Sequence, residues 1–559
     1  MPRSHVPAAL LLALLAPVAA SSQTPPSLLL PTGAGEAAKT ITPALLDGAI
    51  QFLADDLLEG RGPAGRGDEL TQLYLATEMR QMGLEPGAGD GSWEQSVDVV
   101  SVEATAPKAW TFRGKSGSLD MNWWDDYIAG SGVETPTAEI KDAEVVFVGF
   151  GIQAPEYGWD DFKGMNLKGK VLLMLNNDPD WDPKLFEGKK RLYYGRWTYK
   201  YESAARQGAA GAIIVHTTPS AAYPFQVVQN SWSGPQFSLP NDGQPTIQLR
   251  AWATEDASKK LAALGGQDLA KLVEMAKLKS FKPVPLGVLT SIQVSNKVDK
   301  VKTANVLGLL RGSDPELSKE VVVISAHHDH LGRGKANAKG DEIYNGAVDN
   351  ASGTAQVLAI ARAMTQLPER PKRSVLFAFV AAEEQGLLGS AYYARHPTFA
   401  PGRIAANVNL DAGNRWGRTH DVTYIGYGKS SLDKVIEGAA AMQGRVVKGD
   451  QNPDRGSFYR SDQFNFAKIG VPALYIDGGE EFTGADAEAH KAKAMAYVDT
   501  DYHQASDNWG SDWNYEGMIE DTLIAYYSAL SIATNPVAPT WNKGDEFEAA
   551  RLKALEAVK

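Results

Sequence analysis

The sequence predicts an α/β protein: a mostly parallel central sheet flanked by helices, with a smaller α/β unit inserted ahead of it. Three observations point there. From Asn305 onward, near-continuous apolar runs at 321–324, 375–380, 404–408 and 473–476 alternate with helical stretches such as 354–364 and 431–441. Strands apolar on both faces belong to parallel sheets covered by helices. Between about Ala143 and Pro285 the texture shifts to shorter β-rich runs, and 559 residues exceed what one core supports.

Taken in order, residues 1–20 have the layout of a cleavable export signal: Arg3 near the start, an apolar run at 6–16, then small residues ending Val18-Ala19-Ala20. The apolar run is too short to span a bilayer. Residues 21–142 read as the helical start of the main domain, because apolar positions between Thr42 and Met82 fall at helical spacing around the turn Gly60-Arg61-Gly62-Pro63. The inserted unit covers 143–285, with strands at 145–148, 171–175 and 212–215 and a helix near 200–207. The main domain continues over 286–535, and 536–559 is a polar tail with one amphipathic stretch at 547–555.

Composition narrows the function. A formal net charge of −12 leaves no basic surplus to neutralise phosphates, so a nucleic-acid partner is not expected. No later segment offers about 18 uninterrupted apolar residues, so no membrane association is expected once the signal is removed, and the expected destination is the periplasm or the exterior. The chain has no cysteine, so a metal site must be built from histidine and carboxylates.

In an open α/β sheet ligands bind beyond the carboxyl ends of the strands. There the chain places Ala326-His327-His328-Asp329-His330, Glu383-Glu384 and Asp411. Asp349 stands in the Gly-rich stretch Gly346-Ala347-Val348-Asp349-Asn350-Ala351-Ser352-Gly353 ahead of a helix, and His503 follows Tyr502 in an Asp-rich loop. Taken singly, a Glu-Glu pair is ordinarily solvated surface and an aspartate after a strand ordinarily caps a helix. Their joint occurrence at strand ends is what metal chemistry requires. A catalytic zinc takes few protein ligands so that water can reach it, and two ions about 3.5–4 Å apart need one bridging carboxylate.

The ordered set His-x-Asp, Gly-Ala-x-Asp-x-Ala-Ser-Gly, Glu-Glu, Asn-Leu-Asp and Tyr-His resembles the co-catalytic zinc exopeptidase family, which includes bacterial leucyl aminopeptidase, aminopeptidase Y and glutamate carboxypeptidase. The resemblance covers about 305–535 and implies the zinc exopeptidase fold, peptide substrates and two Zn2+ per chain. It implies that His327 and Asp411 bind one ion, Glu384 and His503 the other, and that Asp349 bridges. It makes Glu383 the general base and has Asp329 orient His327 by accepting its second ring N–H. Side chains in extended backbone alternate faces, so His328 should point away from His327, while His330 is placed at most along the pocket wall. Less sharply, Phe458-Tyr459-Arg460-Ser461-Asp462 resembles a pocket motif, with Tyr459 or Ser461 binding substrate or the developing oxyanion. The inserted unit resembles a protease-associated domain, a lid or docking surface without catalytic groups.

The function these resemblances imply is an exported aminopeptidase. Three alternatives share the scaffold: a glutamate-carboxypeptidase-like exopeptidase, for which Arg460 is the cation near a motif; a glutaminyl-cyclase-like transferase with one zinc; and a non-catalytic binding protein, as in transferrin-receptor-like relatives that have lost ligands.

Overall fold

All seven residues of the strand Val321–His327 are buried, which places it at the centre of the sheet. Val322, Ile324 and Ala326 face one apolar layer with Leu46, Ile50, Leu358, Ile360 and Ile524. Val321 and Val323 face another with Leu376, Tyr393 and Phe466. The computed structural model describes residues 26–559; the expected export signal at 1–20 lies outside them. Among the described residues, no helix is long and apolar enough to cross a membrane.

Val321–His327 pairs in parallel with Ser374–Val380 on one side and Ile404–Leu410 on the other, and Ile404–Leu410 pairs in parallel with Ala473–Asp477. The edges turn antiparallel, through Val284–Leu310 against Ser374–Val380 and Asp421–Ile425 against Ala473–Asp477. The central strands therefore all present their carboxyl ends at one rim, and that rim carries His327, Glu383, Glu384 and Asp411.

The helical expectation for 21–142 holds for its first half only. Pro43–Leu53 and Arg66–Gln81 are helices, but Glu94–Thr105, Ala109–Gly114, Gly117–Asn122, Tyr127–Ser131 and Thr137–Phe147 are strands. The reason is visible in stretches such as Trp110-Thr111-Phe112, whose alternating burial has the strand period of two. The boundaries expected at 143 and 285 fall inside the strands Thr137–Phe147 and Val284–Leu310. The latter runs for 27 residues and joins the two halves, pairing with Thr137–Phe147 at one end and Ser374–Val380 at the other. The inserted unit extends that same sheet, with Thr137–Phe147, Val171–Leu175, Gly211–His216 and Leu249–Thr254 in parallel and antiparallel Tyr127–Ser131 beyond them. The tail is anchored: Trp541 Nε1 donates to Gly470 O at 3.0 Å, and Arg551 Nη1 to Ile404 O at 2.8 Å.

Arg61 is fully buried and ties the start of the chain to the rim. Its Nε donates to His328 O at 2.9 Å and its Nη2 to Gly346 O at 3.0 Å, while Nη1 reaches the carbonyls of Leu53 and Asn345. Burial lowers its pKa to about 10, with Asp329, Asp507 and Asp349 opposing, so it stays charged at neutral pH. Arg61→Met strands these carbonyls at roughly 1–3 kcal/mol each where no water replaces the donor. We expect a loss of at least about 3 kcal/mol, read by urea unfolding; a loss below about 1 kcal/mol would disprove the latch.

Candidate metal centre

Each ligand group is positioned by the turn that ends its strand. After Ser374–Val380 the backbone turns through Ala382 at φ 53°, a left-handed conformation. Asp329 pins this turn: its carboxylate accepts the N–H of Glu383 at 2.9 Å and of Glu384 at 3.3 Å. Asp349 is held from behind, since Asp507 accepts the N–H groups of Val348 at 3.0 Å and Asp349 at 3.1 Å. Asn350 ties this loop to the neighbouring strand end, donating to Leu410 O and accepting from Ala412 N. Gly346, at φ 54°, is required because a Cβ there would lie 2.1 Å from Asp349 O and 2.5 Å from the His330 ring. Non-glycine residues with positive φ recur at Ala412 (72°) and His503 (55°), beside or at the ligand positions.

The five groups converge. His327 Nε2 lies 3.2 Å from Asp349 Oδ1 and 3.2 Å from Asp411 Oδ1. His503 Nε2 lies 3.3 Å from Asp349 Oδ2 and 3.0 Å from Glu384 Oε2. The two oxygens of Asp349 thus face different histidines. Ligand atoms about 2.1 Å from a tetrahedral cation sit roughly 3.4 Å apart, whereas a charged N–H···O bond is about 2.7–2.9 Å. Most of these spacings are nearer the first figure. His503 Nε2 and Glu384 Oε1 are moreover buried without a hydrogen-bond partner, so the residues fit two cations sharing Asp349.

The charge pattern agrees. Burial alone would raise the Glu384 carboxyl, but His503 and His330 hold it down at about 2. Burial alone would lower His503, but Glu384 and Asp349 raise it to about 9. Glu383 moves the opposite way: burial pushes its carboxyl well above the ordinary range, opposed by His327 and reinforced by Asp411 and Glu384. Its Oε2 stands 4.0 Å from His327 Nε2, and it lines a cavity of about 380 Å³ together with Asp349 and Asp411.

Asp329 and His330 differ from expectation. Asp329 Oδ1 is 3.7 Å from His327 Nδ1, too far for a hydrogen bond; the ring nitrogen lies nearer the Asp329 backbone oxygen, at 3.3 Å. The Asp329 carboxylate instead serves the Glu383–Glu384 turn. His328 points away, its Nε2 3.1 Å from Ala304 O. His330 is more intimate than a pocket-wall residue, with Nδ1 2.7 Å from Glu384 Oε1. Neither of those two atoms has a hydrogen-bond partner, and His330, Asp349 and Glu384 lie close enough together to form an alternative metal cluster.

Tyr459 is not at the site. Its hydroxyl donates to Glu546 at 2.7 Å and its ring packs on Phe464, because the short helical turn Ser457–Tyr459 directs it into the core. Arg460 and Ser461 do line the cavity; Arg460 Nη2 is 3.3 Å from Tyr502 Oη, and Ser461 Oγ accepts from Asn409 at 2.9 Å. Asp462 lies behind it, accepting from Ser390 at 2.5 Å, and burial raises its carboxyl to about 7. Sequence reasoning missed Tyr475, which lines the cavity with its Oη 3.4 Å from Asp411 O, and Tyr223, which the inserted unit contributes. Tyr475 falls in a strand run already recognised, so inspecting that run's C-terminal half would have found it; nothing local marks Tyr223.

Comparison with known proteins places this geometry. Residues 305–527 match the model of peptidase family M28. A probable leucine aminopeptidase 2 of Aspergillus oryzae is 25% identical over 338 residues, 59% of this chain and 60% of that protein. Aminopeptidase Y of Saccharomyces cerevisiae is 35% identical over 240 residues, 42% of this chain and 40% of its own length. The chain thus spans less than two thirds of either relative. Among solved structures, the aminopeptidase from Aneurinibacillus sp. strain AM-1 superposes with a TM-score of 0.54 at 19% identity, covering 90% of this chain and 97% of that one, a likeness of fold. Residues 305–527, which carry all five converging groups, are thus similar to peptidase family M28, and with the aminopeptidases above this supports the expected resemblance to the co-catalytic zinc exopeptidases.

Proposed function

We propose that the protein is an exported, metal-dependent aminopeptidase that removes N-terminal residues from peptides at a two-zinc centre. The observation that carries this is Asp349, whose two oxygens lie 3.2 and 3.3 Å from His327 and His503. On this reading His327 and Asp411 hold one zinc, Glu384 and His503 the other, and Asp349 both. Bound there, the ions supply Lewis acidity: they polarise the scissile carbonyl and bring a shared water toward deprotonation at neutral pH.

The residues do the rest. Glu383 accepts the water's proton and returns it to the leaving amine; burial raises its carboxyl pKa, which suits a group that must both take and give a proton. Asp329 holds Glu383 in place through the backbone, and His330 stands beside Glu384 at 2.7 Å. Tyr475 stands where a hydroxyl could steady the developing oxyanion. Residues 1–20 support export, and the inserted unit, read as a protease-associated domain, borders the cavity through Tyr223.

Arg460 in the cavity wall gives the carboxypeptidase alternative its footing, since a substrate carboxylate would need such a cation. The deciding experiment assays aminoacyl p-nitroanilides and C-terminal glutamyl peptides side by side, with zinc counted by mass spectrometry. We expect about two zinc per chain and hydrolysis of the aminoacyl substrates, abolished by chelator and restored by zinc. One zinc per chain would favour the cyclase-like alternative, and a fully loaded protein inert toward every aminoacyl substrate would refute the aminopeptidase.

A further inference from the structure

The inserted unit touches the metal centre directly. The helix Phe225–Ser231 ends against the loop carrying His503, and Ser231 Oγ lies 2.7 Å from His503 Nδ1. One residue earlier, Asn230 Nδ2 donates to His503 O at 2.9 Å and to Gln504 Oε1 at 2.9 Å. His503 adopts φ 55°, a conformation that costs a non-glycine residue of order 1–3 kcal/mol and persists only where neighbours impose it. The Asn230 bond to its carbonyl is such a constraint.

A second contact reaches the facing loop. Phe237 N–H donates to Gln385 Oε1 at 3.0 Å, and Gln385 directly follows Glu384. Glu384 and His503, the two ligands peculiar to one ion, therefore sit on loops that the inserted unit holds. The other ion's own ligands are supported from within the main domain: Thr354 donates to His327 O at 2.9 Å, and Asp411 ends the strand Ile404–Leu410.

Resting on the two-zinc reading, we propose that the inserted unit is part of the metal centre, with Ser231 and Asn230 as positioning residues that set zinc affinity at the Glu384–His503 position. Ser231 Oγ accepts the Nδ1–H of His503, which fixes the tautomer that leaves the Nε2 lone pair facing Asp349 and Glu384. Asn230 fixes the backbone from which the ring projects. Removing either leaves all five ligands in the chain but frees one of them to turn, so one ion weakens and the other does not. The insertion thereby acts on the chemistry without a group that touches substrate.

The test is metal retention in the full chain, with Ser231→Ala, Asn230→Ala and the conservative Ser231→Thr beside the unaltered protein. Zinc-loaded samples are dialysed against graded competing chelator and zinc per chain is counted by mass spectrometry, with circular dichroism confirming the fold. In the alanine variants we expect one zinc to be lost at a chelator strength about 10–100-fold lower than in the unaltered protein, the second zinc held as before, and Ser231→Thr to retain both. Equal retention in Ser231→Ala, or equal weakening of both ions, overturns the proposal. An unaltered protein that never holds a second zinc instead overturns the two-zinc reading, and this proposal with it.

Discussion

Replacing Glu383 with glutamine is expected to lower kcat and kcat/KM together by about 10²–10⁴-fold while metal content stays that of the unaltered protein. The amide keeps the size of the side chain and its place on the cavity wall but cannot accept a proton. Neither neighbour can replace it. Glu384 is held at about 2 by its histidines and is a poor base, and Asp411 stands against His327 at 3.2 Å, where the proposed function gives it a zinc to hold. The turn survives because Asp329 grips the backbone N–H of residue 383, not its side chain. Turnover within threefold of the unaltered enzyme would remove Glu383 from proton transfer, and loss of zinc would mean that it is a ligand.

The strand ends around Glu383 were legible in the chain. A buried strand fixes the alternation of its side chains and the rim at which it stops, so His327, the Glu383-Glu384 pair and Asp411 could be placed at one rim before any coordinates, and the outward turn of His328 followed from the same alternation. The division of labour between Glu383 and Glu384 rested on the family resemblance alone. What lay beyond that logic was missed for identifiable reasons. Tyr459 occupies a short helical turn with no periodicity to orient it, and it swung into the core while its neighbours Arg460 and Ser461 reached the cavity. The strands between Glu94 and Phe147 carry acidic and hydroxyl residues on their open faces, which hid their period beside the stronger helical pattern before Gln81. Asp329 was placed near the right atoms but given the wrong task, because sequence spacing cannot separate a carboxylate facing a ring N–H from one facing a backbone turn. The contacts of Ser231, Asn230 and Tyr223 with the site join parts of the chain more than 120 residues apart, and no local pattern encodes such an approach.

Asp349 offers the sharpest separation between a shared centre and two independent ones. If its oxygens serve one cation each, Asp349→Ala removes a ligand from both positions at once and leaves Glu384, Asp411 and Glu383 facing one another with less positive charge between them. We therefore expect zinc per chain to fall from about two to one or fewer, and turnover to fall at least as far as in the Glu383 variant, about 10²-fold or more. Asp349→Asn discriminates further. Its amide keeps one carbonyl oxygen, able to serve a single ion weakly, so it should hold one zinc where the alanine variant holds less. The fold should survive in both, because Asp507 binds the backbone N–H of residues 348 and 349 whatever the side chain. Unchanged zinc content in Asp349→Ala would mean that each histidine binds its ion without the bridge, and the spacing of 3.2 and 3.3 Å would then reflect ordinary ion pairing.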